Sequence, residues 1–173
     1  AYLIGHSEIG LAVTLPQRAG DLQAAAAQAG RPLHTMSADA AAVPPAFEAA
    51  PRAREPVGLD SECALLYTSG TTGRPKGCML DNAYFLRAGQ WYAELTDVCE
   101  YRRDQERVMT PLPLNHVNAM AFSTMVVLVG GGCLIQLDRF HPRSWLQSAR
   151  ESGATIVHYL GVMPAMLLSA PDA

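Results

Sequence analysis

Several features that would assign the chain to a large class of proteins are missing from its 173 residues. The 13 lysines and arginines are scattered and are outnumbered by 16 acidic residues, so that the net charge is -3. Without a basic stripe, a nucleic-acid partner is not expected. The four cysteines lie far apart, with no C-x-x-C spacing and no paired histidines. This argues against a disulfide framework and against a zinc site, and reduced thiols favour a cytoplasmic protein.

The sequence also lacks a recognisable membrane anchor or secretory leader. The longest uncharged stretch, residues 117–136, contains polar side chains and a glycine triplet at positions 130–132. These residues divide it into a helix and a strand of a buried core, so no transmembrane segment is expected. The first residue is Ala1 rather than methionine, from which we expect the natural protein to begin earlier.

Two common nucleotide-binding patterns are missing as well. The P-loop G-x-x-x-x-G-K-[ST] requires a glycine directly before its lysine, whereas Pro75 precedes Lys76 here, and no G-x-G-x-x-G follows a predicted strand. What is present is Y-T-S-G-T-T-G-R-P-K-G at residues 67–77, with four serine and threonine hydroxyls, three glycines and a lysine. Glycines allow close backbone approach, hydroxyls and free amides donate to oxygens, and Lys76 adds a compact charge. The run therefore predicts phosphate binding.

Strands and helices alternate along the chain, which predicts an α/β domain with a layered, mostly parallel sheet and flanking helices. The predicted strands are residues 11–14, 33–36, 63–67, 107–110, 133–137 and 154–159. The predicted helices are residues 21–28, 117–129, 144–152 and 163–169, and a long one that follows the phosphate-binding run and that Asp81 or Asn82 would cap. One face of this long helix is expected to pack on the sheet through Tyr84, Ala88, Trp91, Tyr92, Leu95 and Val98.

Three segments follow from this pattern. Residues 1–36 form a βαβ unit, and residues 37–58, rich in alanine and proline, form a loop or linker. Residues 59–173 hold the phosphate loop and the rest of the same domain. Because ligands bind at the carboxyl ends of parallel strands, the loops that follow Tyr67, Thr110 and Tyr159 are expected at one edge. His116 lies in the segment P-L-P-L-N-H-V after one of these strands. It is the candidate functional side chain at this edge of the sheet.

Residues 67–77 resemble the phosphate-binding signature of the adenylate-forming superfamily, which includes acyl-CoA synthetases, luciferases and peptide-synthetase adenylation domains. The segment ending in His116, residues 132–142 and residues 153–164 are similar to acyl-CoA synthetase segments, most of all to carnitine or crotonobetaine CoA ligases and medium-chain synthetases. The resemblance implies that ATP phosphates are bound by Thr68, Ser69, Gly70, Thr71, Thr72, Gly73 and Lys76. It implies an acyl pocket or gate at His116, and either pocket or strand-end packing roles for Tyr159, Gly161 and Met163.

The same resemblance implies a carboxylic acid, Mg-ATP and CoA as reactants, an acyl-AMP intermediate, and no catalytic residue within this chain. Enzymes of the family are far longer, and their adenine, ribose and Mg²⁺ ligands and adenylation lysine lie further along, so the chain is interpreted as a piece of the large N-terminal domain. A cut through a larger sheet leaves an unpaired edge, which predicts self-association. Two other functions stay open: a noncatalytic nucleotide- or anion-binding module, and an amino-acid adenylation domain. A Thr-Glu segment and a late Gly-Lys beyond Ala173 would favour the ligase.

Overall fold

The computed structural model describes residues 1–37, 56–69 and 73–169. Contacts divide the chain into two compact units, one formed by Ala1–Val57 with Tyr67–Cys78 and the other by Gly58–Leu66 with Met79–Ala173. The predicted 37–58 loop lies almost wholly outside the described residues.

The first unit contains the predicted βαβ arrangement. It comprises α1 (Tyr2–Ser7), β1 (Leu11–Thr14), a short 3₁₀ turn, α2 (Ala19–Gln28) and β2 (His34–Ser37). The two strands are parallel, with Leu11 opposite His34, and a small core of Ile4, Ala26 and Leu33 closes the unit. Helix α1 was not predicted. It has only six residues and no side-chain cap at its start, so its sequence carries no clear helix signal.

Strand β3 (Glu62–Thr68) confirms the predicted strand before the phosphate loop, but the strand between the loop and the long helix was not predicted. The chain enters β4 (Lys76–Asp81), which pairs with β3 in a two-stranded sheet, before the long helix α3 (Asn82–Ala93) begins. Strand β4 is hard to see in the sequence, because Lys-Gly-Cys-Met-Leu-Asp shows no alternation of polar and apolar residues.

A parallel three-stranded sheet forms the core of the second unit. Strand β5 (Arg107–Thr110) lies between β6 (Cys133–Gln136) and β7 (Ile156–Val157). Side chains alternate along β5, so Val108 packs with Ala93, Tyr101 and Val126 while Met109 packs with Trp145 and Met163. The sheet is thus covered on both faces, as a layered α/β domain requires. Strand β7 covers only two residues, Ile156–Val157, of the strand predicted at 154–159.

The covering elements are α3, a π-helix at Asn118–Thr124 continued by α4 (Met125–Gly130), α5 (Trp145–Ser152) and α6 (Met163–Leu168). Helix α5 ends at Ser152 as predicted, and Gly153, at φ 62°, follows it in the left-handed region. No helix in the described part of the chain is long and apolar enough to cross a membrane.

Helix α3 begins as predicted, and Tyr92 packs against the core as predicted, but the fully buried residues lie on a different face. The Asp81 carboxylate accepts a hydrogen bond from the Tyr84 amide at 2.7 Å, which makes Asp81 the N-cap. The buried residues are Ala83, Phe85, Gly89 and Ala93. Trp91 is 57% exposed, and the helix ends before Leu95 and Val98. The physical reason is helix contact: α3 lies so close to α4 that a Cβ on Gly89 would sit 2.6 Å from the Met125 carbonyl oxygen.

Candidate functional site

The described part of the phosphate loop presents its polar groups to solvent. Thr68, Ser69, Gly73 and Lys76 are exposed, while the predicted ligands Gly70, Thr71 and Thr72 lie outside the described residues. Gly73 has φ 84°, a conformation that a residue with a Cβ rarely adopts. Among the described residues, the Lys76 ammonium has no carboxylate within ion-pairing distance. The charge is therefore available to a ligand.

Helix α1 holds the two flanks of this loop. On one side, His6 Nδ1 lies 2.7 Å from the Tyr67 hydroxyl. On the other side, the Tyr2 hydroxyl donates to the Pro75 carbonyl oxygen at 3.2 Å, and the Arg74 guanidinium lies 5.8 Å from the centre of the Tyr2 ring. The side chains before and after the loop are thus fixed by one element. Sequence reasoning missed this support because it assigned no helix to residues 2–7.

The second unit places His116 at the carboxyl end of β5, after the segment Pro111 to Asn115. Its backbone N–H donates to the Pro113 carbonyl oxygen at 3.0 Å, which makes a turn that leads into the π-helix. The His116 side chain is exposed. Such a position, after a strand and before a helix, suits a ligand-contacting side chain.

A cavity of about 420 Å³ lies near this edge of the three-stranded sheet. It is lined by aromatic and neutral polar residues from α3, the π-helix and the end of β7: Trp91, Tyr92, Asn118, Phe122, Val157, His158 and Tyr159. None of the described residues in this lining has a charged side chain. A ligand held there would be recognised by its apolar surface and by neutral hydrogen-bonding groups.

Of the four residues predicted for an acyl pocket, one lies in this lining. Tyr159 lines the cavity, whereas His116 and Gly161 do not. Gly161 has φ 60° in the turn before α6. Met163 is buried beside Met109 and Trp145, and its sulfur accepts from the Leu160 amide at 3.3 Å. These surroundings favour a packing role for Met163 over a role in an acyl pocket.

His158 is the polar centre of the cavity, and the sequence analysis did not identify it. Its Nδ1 lies 2.6 Å from the Ser123 hydroxyl and its Nε2 lies 2.5 Å from the Tyr92 hydroxyl. Burial lowers the pKa of His158 and raises the pKa of Tyr92, so both side chains are neutral at neutral pH. The one sequence signal was its position at the end of a predicted strand, next to Tyr159.

The π-helix forms one wall of the cavity. Asn118 and Phe122 stand four residues apart and both reach the cavity, while Ser123 turns to the buried side. Phe122 meets Trp91 edge to face, with ring centres 6.0 Å apart. The Thr124 hydroxyl donates back to the Ala119 carbonyl oxygen at 2.9 Å, which satisfies one backbone acceptor of the widened turn. Widened turns of this kind often occur at functional sites.

A second groove of about 440 Å³ adjoins this wall and shares Trp91 and Phe122 with it. It carries charge of both signs, from Asp81 and Arg87.

No group of three histidine, cysteine, aspartate or glutamate side chains that could hold a metal ion occurs among residues 1–37, 56–69 and 73–169. These residues do not by themselves supply a set of ligands for the Mg²⁺ ion that accompanies ATP.

Comparison with known proteins agrees with these features. A family model described as AMP-binding enzyme matches residues 1–173. The chain is 30% identical to the sulfoacetate–CoA ligase of Cupriavidus necator over 98% of its own length, which is 33% of that protein. It is 28% identical to a crotonobetaine/carnitine–CoA ligase of Shigella flexneri over 68% of its length and 22% of that protein. The resemblance to acyl-CoA synthetases is thereby confirmed.

Structural comparison gives the same result. The crystal structure of ATP-bound MatB from Rhodopseudomonas palustris matches with a TM-score of 0.74 and 27% sequence identity, over 98% of this chain and 33% of that one. This confirms the predicted α/β fold class. The chain spans about a third of the length of these proteins.

Proposed function

We propose, because the chain belongs to the AMP-binding enzyme family, that the intact protein is an AMP-forming acyl-CoA synthetase. A carboxylate oxygen of the acid attacks the α-phosphorus of ATP, the bond to the bridging oxygen breaks, and acyl-AMP and pyrophosphate form. The CoA thiol then attacks the acyl carbon, AMP leaves, and the thiol proton is released. The observation that carries this proposal is the phosphate loop itself: Thr68 and Ser69 are exposed at the end of β3, and exposed Lys76, which has no carboxylate partner among the described residues, follows the loop.

In this proposal the loop stabilises the pyrophosphate that leaves. Lys76, the loop hydroxyls and the loop amides meet the negative charge that develops on the β and γ oxygens. The first step needs no general base, because a carboxylic acid is already ionised at neutral pH. His116 shapes the entrance to the acyl site by its position and hydrogen-bonding capacity. The cavity beside His158 receives the acyl group, and Tyr159 is part of its wall.

Incubation of the intact protein with ATP, CoA and a panel of carboxylic acids tests the function. The expected products are one acyl-CoA thioester and one AMP for each ATP consumed, measured by mass spectrometry and nucleotide chromatography. Nucleotide binding without turnover of any acid would support the noncatalytic module instead. A thioester formed on a carrier protein but never on free CoA would support an amino-acid adenylation domain.

A further inference from the structure

The hydrogen-bonded set Tyr92, His158 and Ser123 has only one arrangement of protons that satisfies its buried members. The Ser123 side chain is completely buried, and among the described residues its hydrogen-bond partner is His158 Nδ1 alone. A buried hydroxyl that fails to donate its proton is costly. Ser123 therefore donates to Nδ1, which must be the unprotonated ring nitrogen.

The tautomer of His158 follows from this assignment. With Nδ1 accepting, the ring proton of the neutral imidazole is on Nε2. Nε2–H then donates to the Tyr92 oxygen, 2.5 Å away. A doubly protonated ring is excluded by the same argument, because Ser123 would lose its acceptor. Tyr92 thus acts as an acceptor toward His158, and its own hydroxyl proton has no partner in the described part of the chain.

Tyr92 and His158 both line the cavity, so this unused proton is available to whatever the cavity holds. We propose that Tyr92 donates it to a neutral oxygen of the acid substrate, and that Tyr92 selects acids carrying such an oxygen away from their carboxylate. Tyr92 is then a specificity-determining residue whose donor state is set by Ser123 through His158. This inference rests on the proposed acyl-CoA synthetase function.

The lining also defines the class of acid. Trp91, Phe122 and Tyr159 offer apolar ring surface, and no side chain among the seven described lining residues is charged. None of these side chains offers a counter-charge to a second carboxylate or to a sulfonate. The cavity therefore fits the neutral part of a monocarboxylic acid with a flat apolar body and an ether, carbonyl or hydroxyl oxygen.

Matched pairs of acids test the donor. Para-methoxybenzoate and para-ethylbenzoate have nearly the same shape, and only the first has the acceptor oxygen; para-methoxycinnamate and para-ethylcinnamate repeat the comparison in a longer acid. The intact protein should show kcat/KM for acid-dependent pyrophosphate exchange about tenfold higher for the methoxy member of the pair it accepts. Tyr92→Phe should bring this ratio close to one while kcat/KM for the ethyl acid is retained. Terephthalate should not be a substrate.

Two further variants separate the donor from a packing role. Ser123→Ala frees His158 to take the other tautomer and to accept the Tyr92 proton, so the methoxy preference should fall. Tyr84 lies on the same helix, and its hydroxyl has no side-chain partner in the described structure. The preference for the methoxy acid should therefore stay unchanged in Tyr84→Phe. Nitrogen-15 NMR of the intact protein should show the proton of His158 on Nε2, independently of any activity.

Each outcome bears on one of the two claims. Failure of every carboxylic acid to support pyrophosphate exchange would overturn the acyl-CoA synthetase function. Exchange with equal rates for both members of each pair, exchange confined to acids without a second oxygen, or a preference that survives in Tyr92→Phe would overturn the inference alone. A proton on Nδ1 of His158 would also overturn it.

Discussion

At the scale of single residues, the charge of Lys76 has a role in only one half of the proposed reaction. It is exposed and lies on the loop proposed to bind oxygens that depart with pyrophosphate. Lys76→Ala should therefore slow adenylation while thioester formation from preformed acyl-AMP stays nearly intact. Loss of one charge-assisted contact corresponds to about 1.5–3 kcal/mol. Separate assays of the two half-reactions measure this, with Lys76→Arg as the variant that keeps the charge. Equal losses in both would contradict the assignment.

His116 is expected to act by shape and hydrogen bonding. Its side chain is exposed at the end of β5 and lies outside the lining of the aromatic cavity, which suits a gate more than a pocket wall. His116→Ala should raise KM for the acid more than KM for ATP and should alter acyl selectivity. Initial-rate kinetics with either substrate varied give the comparison. A bell-shaped pH profile that disappears in the variant would instead identify an acid or base.

Glu106 links stability to pH. Its side chain is 2% exposed and accepts a hydrogen bond from Arg102 Nε at 2.6 Å and one from the Thr155 hydroxyl. The Arg102 hydrogen bond is the main cause that holds the pKa of Glu106 below its usual value. A lowered pKa stabilises the fold above the unfolded-state value of about 4.3, and this stabilisation is lost as the pH falls through the folded-state pKa.

Glu106→Gln should consequently lower the free energy of unfolding at neutral pH, and the gap to the parent protein should narrow in acid. Urea unfolding of both proteins at several pH values gives the two curves. If the difference in free energy of unfolding between the two proteins stayed constant down to acid pH, the Glu106 carboxylate would not be stabilised by its partners.

At the scale of elements, the contact between α3 and α4 depends on the absence of a side chain at Gly89. A Cβ there would lie 2.6 Å from the Met125 carbonyl oxygen and 2.9 Å from a Val129 methyl. Gly89→Ala should destabilise the protein by about 1–3 kcal/mol, because the helices would have to separate. Gly20→Ala in α2 is the matched control: an added Cβ meets no atom within 4 Å, so helix propensity should stabilise it. Thermal unfolding compares the two, and a stabilised Gly89→Ala would refute the close packing.

Comparison of the observed helices and strands with the sequence shows which of them local sequence patterns predict and which they do not. Strand β5 and the α5 end at Gly153 have strong local signals, an apolar run and a helix-terminating glycine, and both were predicted. The face of α3 was not, because hydropathy favours burying Trp91 whereas the approach of α4 buries Gly89 and Ala93. The π-helix and the partners of His158 depend on contacts between residues far apart in the chain, which no local pattern records.

At the scale of the whole molecule, the chain spans 33% of the length of the sulfoacetate–CoA ligase and of MatB. The described residues therefore contain only part of the machinery proposed for the complete enzyme. We propose that residues 1–173 alone do not form acyl-CoA, and that an unpaired sheet edge favours their self-association.

The most direct test of the proposed chemistry is isotope exchange between labelled pyrophosphate and ATP on the intact protein, without CoA. Reversible formation of acyl-AMP predicts that label enters ATP only when a suitable carboxylic acid is present, and that added CoA replaces exchange by net release of AMP. Release of ADP and phosphate, or exchange that is independent of the acid, would contradict the account.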